Sequence, residues 1–306
     1  MRNFSAKILL SVLLLTEGGA ALPAAPVATQ LTADAMDYDM ESGEFKAQGH
    51  VTLKREDVTL TSAYGEASTK TQKARLWRNV HAFGTHRGEK LDAVCAELVA
   101  DFSAPGGSYA MKGNVDAVFG SRVLRAAVAR LGGRTFGAED VTHFEDKDRN
   151  MVMTCAALSG DYDAQGLRAA EGKGSVTVVQ QDEQKTSHLW CDELSYSREA
   201  DTLTGAGNAK IHVQSKSGRT RETTIECEKL VYSVGGNVVT ATGNARAVQD
   251  GRRISAQTLI YHPDTGRLEA KGTPRISVDL TNLKPSPRTP AKNGAPAAGS
   301  EKGGKK

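Results

Sequence analysis

Ile225-Glu-Cys227-Glu-Lys-Leu230-Val-Tyr232, followed at 238–247 by Val-Val-Thr-Ala-Thr-Gly-Asn-Ala-Arg-Ala, is the stretch that the rest of the chain repeats. Its first half has the form aliphatic-x-small-x-x-apolar-x-Tyr. The form recurs in full at Leu31/Ala33/Met36/Tyr38, Leu189/Cys191/Leu194/Tyr196 and Ile254/Ala256/Leu259/Tyr261. Weaker copies place the small residue at Ser62, Cys95, Ala126 and Cys155, so the column runs 33, 62, 95, 126, 155, 191, 227, 256 at intervals of 29 to 36 residues. Self-similarity at such a period is the signature of a stacked array, in which each unit buries its apolar face on its neighbours.

Within one unit the apolar residues alternate with period two, but Leu230 and Tyr232 are out of phase with Ile225 and Cys227. A strand whose inward parity slips, here at Glu228-Lys229, must bend or bulge. A turn signal follows (Gly235-Gly236, Ala200-Asp201, Asp264-Thr265-Gly266 or Glu41-Ser42-Gly43), and then a returning strand with Gly-Asn inside it at 113–114, 207–208 and 243–244. Each unit is two strands. The expected fold is all-β, an elongated open stack of V-shaped repeats with about eight rungs, near 40 Å long at about 4.8 Å per rung. Leu124 to Leu131 satisfies helix propensity, but Leu124, Ala126 and Ala129 sit on the repeat template, which favours a strand.

Three segments are expected. Residues 1–28 carry Arg2 and Lys7, the apolar run Ile8 to Leu15 and a small-residue stretch near Ala21, which reads as a secretory signal peptide; the run is short for an uncleaved anchor. Residues 29–280 form the array, and 281–306, rich in Lys, Pro, Ala and Gly, form a disordered tail. The formal charge is +3, but the tail holds six basic residues against one acid and the leader two against one, leaving the array at −3. That balance does not suggest nucleic acid as a partner.

The seven histidines have no metal-protease spacing, and no phosphate loop or nucleophile elbow is present, so no enzyme, metal or cofactor is expected. All four cysteines fall in the small-residue column, where a thiol acts as a small apolar group. One rung of separation between Cys155, Cys191 and Cys227 would allow at most one disulfide. The return strands supply the inward residues Phe45, Val51, Leu53, Leu76, Val80, Met111, Val115, Phe119, Val176, Leu203, Ile211 and Val239. With Ala and Gly between them they outline a candidate apolar groove, the alternative being that the two faces close as a sandwich core.

The run Ala33-Asp34-x-x-x-Tyr38-Asp39-x-x-x-Gly43-x-Phe45-x-Ala47-x-Gly49-x-Val51, echoed from Cys227-Glu228 to Gly243-Asn244-Ala245, resembles the OstA-like domain of the LptA family of periplasmic lipopolysaccharide transport proteins. The resemblance spans most of 31–278. It implies a V-shaped β-jellyroll in the periplasm whose interior holds the acyl chains of lipopolysaccharide on their way to the outer membrane. The partners it implies are LptC-like and LptD-like jellyrolls joined by strand-edge pairing. An open stack also has an exposed strand edge at each end, so weak head-to-tail self-association is expected, with the amino-terminal rung open and Pro274 in the last rung giving partial protection at the other end. The competing reading is a structural or adhesive β-solenoid that binds carbohydrate or a protein on its outer face. It calls for aromatic platforms outside, for which only Trp77 and Trp190 are available among tryptophans.

Overall fold

The computed structural model describes residues 29–278, apart from 87, 105–106, 164 and 217–221; the expected leader and tail lie outside the described residues. The first rung is split into β1 (Thr29–Thr32) and β2 (Ala35–Asp39). Longer strands follow without interruption: β3 (Glu44–Arg55), β4 (Val58–Ser68), β5 (Lys73–His86), β6 (Glu89–Asp101), β7 (Ser108–Phe119), β8 (Arg122–Gly132) and β9 (Thr135–Asp146). After a 3-10 turn at Lys147–Arg149 come β10 (Met151–Asp163), β11 (Gly166–Gln181), β12 (Lys185–Ser197), β13 (Thr202–Ser215), β14 (Thr223–Ser233), β15 (Val238–Gln249) and β16 (Arg252–His262). The last rung is again split, into β17 (Arg267–Lys271) and β18 (Arg275–Val278). The fold is all-β, as expected: β3 to β16 each pair antiparallel with the next strand in the chain, β1 and β2 both pair with β3, and β17 and β18 both pair with β16, all in one sheet.

The strands bend where the repeat predicts it. Glu226 pairs with Arg246 and Lys229 with Thr242, so two residues of β14 face three of β15. The extra residue belongs to the return strand, where Gly243 (φ 78°) and Asn244 (φ 47°) both occupy the left-handed region. A side chain on Gly243 would meet Glu228 Cβ at 2.7 Å, so a substitution there is crowded as well as conformationally strained. Asn, which reaches this region more readily than other residues, donates from Nδ2 to Glu228 Oε1 at 2.7 Å. The same left-handed pair recurs at 49–50, 78–79, 113–114, 174–175, 207–208 and 272–273, aligned down the sheet.

Each bend divides a strand into two arms, and the sheet folds over itself along the column of bends. The residues on its inner face require this. Val51, Leu60, Leu76, Val80, Val115, Ile225, Leu230 and Leu259 are all but inaccessible, and a single-layered sheet cannot cover its own face unless its arms close on each other. Cross-arm contact is direct: a side chain on Gly65, in the first arm, would lie 3.1 Å from Val51 Cγ1 in the second. At about 1.5–3 kcal/mol for each large aliphatic side chain removed from water, this seam supplies the driving force for closing the arms.

The eight repeats are present, with one revision of geometry. The two strands of a repeat are ladder neighbours, not opposite members of one rung, so each strand forms its own layer. The split end rungs and the fourteen strands between them make sixteen layers. At about 4.8 Å per strand the stack is about 70 Å long, not 40 Å. Residues 124–131 lie in β8, a strand rather than a helix. Leu124 packs against both of the hydrophobic clusters that make up the core, the one formed by β3–β8 and the one formed by β8–β16.

Candidate functional site

The candidate groove residues all lie in the strands, and most lie in the seam. Val51, Leu53, Leu76, Val80, Met111, Val115, Val176 and Val239 are buried, while Phe45, Phe119, Leu203 and Ile211 are half-buried. These side chains and their neighbours pack on one another in two hydrophobic clusters that fill the seam. Phe45 stacks on Tyr38 of the first rung, with ring centroids 4.1 Å apart.

The arm tips form two rows of turns with the mouth of the fold between them, and among the described residues side chains cross that mouth near both ends. Near the amino-terminal end, Phe102 of the first row meets the second row. There the Arg55 guanidinium lies over the Phe102 ring at 4.4 Å, and Tyr109 meets Phe102 and His86 edge-on at 6.1 and 6.0 Å. Burial raises the pKa of the Tyr109 hydroxyl, which lies within the fields of Arg55 and Glu56. Near the other end, Gln249 of the second arm donates from Nε2 to Thr223 Oγ1 at 2.9 Å and to the carbonyl of Gly266 at 2.8 Å, in the turn of the first arm. Tyr261, fully buried, points its hydroxyl toward Thr223, and burial raises its pKa. Between these crossings the buried Asp146 pairs with Arg149 at 2.6 Å and Arg122 at 3.8 Å.

Sequence reasoning identified the seam but not its closures. Arg55, Phe102 and Gln249 carry no repeat signature.

The small-residue column lies at the bend. Ser62, Cys95, Ala126, Cys155, Cys191 and Cys227 are buried there, and the four thiols are free. The sixteen-layer geometry corrects the allowance for one disulfide. Cys155, Cys191 and Cys227 occupy β10, β12 and β14, two strands or about 9.6 Å apart, beyond the roughly 7 Å reach of a disulfide. Burial pushes Cys95, Cys191 and Cys227 up to about 11.

On the outer face, Trp77 stacks on Tyr64 at 5.8 Å with Arg78 over Tyr64, and Trp190 stacks on His188 at 5.5 Å. Among the described residues, no three His, Cys, Asp or Glu side chains converge as metal ligands, and no helix is long and apolar enough to cross a membrane.

Fold and seam together define an elongated β-jellyroll, one bent antiparallel sheet closed on an apolar interior and, among the described residues, unpaired on the outer edge of its two end rungs. No family model matches the chain, and no curated protein matches it. Among solved structures it is similar to LptH of Pseudomonas aeruginosa, described as the LptA-homologous periplasmic component of the lipopolysaccharide transport device. That likeness has 14% identity and a TM-score of 0.36, over 44% of this chain and 98% of the other.

Proposed function

We propose that this chain is a non-enzymatic periplasmic carrier or bridge that shelters the acyl chains of an amphiphile of the lipopolysaccharide kind between its arms on the way to the outer membrane. One observation carries the reading: the apolar seam runs the length of the stack and reaches the surface at both ends. Met36 and Tyr38 on β2 are each 43% exposed, and Ile276 on β18 is 65% exposed. They hold the positions that Leu230, Tyr232 and Ile254 hold within the stack, and a seam continued at both ends suits a bridge between LptC-like and LptD-like jellyrolls by strand-edge pairing. In this reading, acyl chains enter by parting the arms, with the crossings at Arg55–Phe102 and Gln249–Gly266 released and the half-buried Ile211 and Leu203 meeting the lipid first.

The test is native mass spectrometry of protein from its exporting host, followed by titration of the lipid-free protein with lipopolysaccharide and a fluorescent acyl probe. Co-purified lipid and saturable binding are expected. Failure of lipid-free protein to bind either ligand defeats the reading. The filled seam and the outer Trp77–Tyr64 stack favour a second reading, an adhesive β-stack that binds on its outside; Trp77→Ala would then abolish binding that Ile211→Asp leaves intact.

A further inference from the structure

The seam changes character near its middle. Its buried apolar residues fall into two clusters, one drawn from β3 to β8 and one from β8 to β16, and among the described residues, which include all of 107–163, Leu124 alone packs against both. The clusters meet at β8, whose fully buried contributions are Ala126 and Ala129, whereas β7 supplies Met111 and Val115 and β9 supplies Val141. The core thins at this layer alone: every other strand from β3 to β16 places at least one buried residue of valine size or larger in a cluster. The lip of the same region is ionic. Asp146, at the end of β9, is opposite Arg122 of β8 and is 1% exposed. Its Oδ2 meets Arg149 at 2.6 Å and Arg122 at 3.8 Å, while its buried Oδ1 has no partner.

We infer that the seam is two apolar compartments rather than one, divided at β8 and β9, and that each takes an acyl chain on its own. The ligand rests on the carrier reading above; the division does not. An acyl chain is held by the apolar area it covers, and a layer whose buried side chains are two methyl groups offers little of it. At the lip, the chain would lie against a buried carboxylate whose free oxygen it cannot pair. Both effects stop a chain at the waist and favour one lying wholly on either side. At about 4.8 Å per strand, β3–β7 spans about 19 Å and β10–β16 about 29 Å, each long enough for an extended fatty acyl chain. Because a stacked array is held by contacts between neighbouring layers, a thin layer also lets one side loosen without the other.

Two measurements on the full chain test this, one with ligand and one without. Native mass spectrometry with cis-parinaric acid, a fluorescent fatty acid, should show two probes per chain. Leu91 and Ile211 are half-buried and pack one against each cluster. Leu91→Asp and Ile211→Asp should each lose one probe and keep the other, and the double variant should bind none. Without ligand, the buried Val80 and Val239 also lie one in each cluster. Val80→Ala should quicken amide exchange about tenfold or more in β3–β7 and Val239→Ala in β12–β16, each leaving the other side unchanged. Exchange that quickens on both sides of β8 in either variant overturns the division. A parent that binds one probe, or two that either aspartate alone abolishes, overturns it as well. If no probe binds while exchange stays on the altered side, the carrier reading fails, and with it the ligand named here, but the division of the seam stands.

Discussion

The guanidinium of Arg55, at the end of β3, lies 4.4 Å over the ring of Phe102, just beyond the end of β6, and joins the two arms across the mouth of the fold. Exposed cation–ring pairs contribute about 0.5–1 kcal/mol, so Arg55→Ala should lower global stability by no more than about that amount. Its local effect is larger. Amide exchange should quicken at the tips of β6 and β7 and stay unchanged at β15 and β16, where Gln249 holds the mouth independently. Uniform exchange along the stack would mean that the Arg55–Phe102 contact does not hold the arms.

The same connection is anchored by Asp101. Its Oδ1 accepts from Ser103 Oγ at 2.6 Å and the Ser103 backbone N–H at 3.0 Å, and Lys73 lies 3.2 Å from Oδ2. These partners, the Ser103 hydroxyl foremost, lower its pKa to about 2. A depressed carboxylate stabilises the fold above its unfolded value, near 4, and that contribution is lost as pH falls through the folded value. The stability contribution of Asp101 should therefore fall away between about pH 4 and 2, and the part of the Phe102 and Tyr109 ring shifts that follows Asp101 should have its midpoint near 2. Asp101→Asn should remove the transition, and if it persists the anchor lies elsewhere.

The bend column makes a sharp demand on Gly243, whose φ of 78° and contact with Glu228 leave any side chain strained and crowded. Gly243→Ala should cost about 1–2 kcal/mol in urea unfolding. Asn244→Gly keeps the left-handed conformation and loses only the exposed bond to Glu228, so it should cost well under 1 kcal/mol. Equal costs for the two would argue against a conformational role for the column.

Much of this fold is visible in the chain because its two determinants are local and repeated. Alternation with a parity slip, as at Cys227 and Leu230, specifies a bent strand, and Gly243-Asn244 specifies where the return strand takes its extra residue. The layer count along the stack was not visible, because alternation is the same whether two strands of a repeat face each other or lie side by side; only the register Tyr232↔Val239 distinguishes them. The closures were hidden for another reason. Arg55 and Phe102, or Gln249 and Gly266, meet because the arms fold over, and nothing periodic marks residues that meet once.

Burial separates two substitutions that look equivalent in sequence. Val115 is 1% exposed, so Val115→Asp places an unpaired carboxylate in the core and should cost several kcal/mol, unfolding the protein or raising the pKa of the new acid. Ile211 is half-buried and pairs with Ile225 across β13 and β14. Ile211→Asp should keep the fold and weaken acyl-probe binding by about tenfold, a loss of about 1.4 kcal/mol. A folded Ile211→Asp protein that binds the probe as the parent does would remove the seam from the carrier reading.

The two ends of the stack match each other. The first rung runs from second arm to first, β1 pairing with Arg55 to Thr52 and β2 with Gln48 to Glu44; the last runs from first arm to second, β17 pairing with the tip of β16 and β18 with its start. Because the layers are even in number, β1–β2 of a second copy laid on β17–β18 continues the antiparallel alternation with arm on arm. The left-handed Gly272-Thr273 pair would then face Ala33-Asp34, as Gly49-His50 does within the chain. Unpaired edges join readily unless blocked, and among the described residues nothing covers either end. Pro274, expected to protect the last rung, sits at the bend between β17 and β18, so the outward edges of both half-strands keep their donors. Met36, Tyr38, Ile276 and Val278 are exposed where such a junction would bury them. Weak, concentration-dependent head-to-tail association is expected in sedimentation velocity. Met36→Lys or Ile276→Lys should each reduce it, since one altered face spoils every junction. Mixing the two variants should restore only dimers, because one competent first rung and one competent last rung remain. A parent that stays monomeric at high concentration and ignores other jellyroll partners would leave a shuttle in place of a bridge.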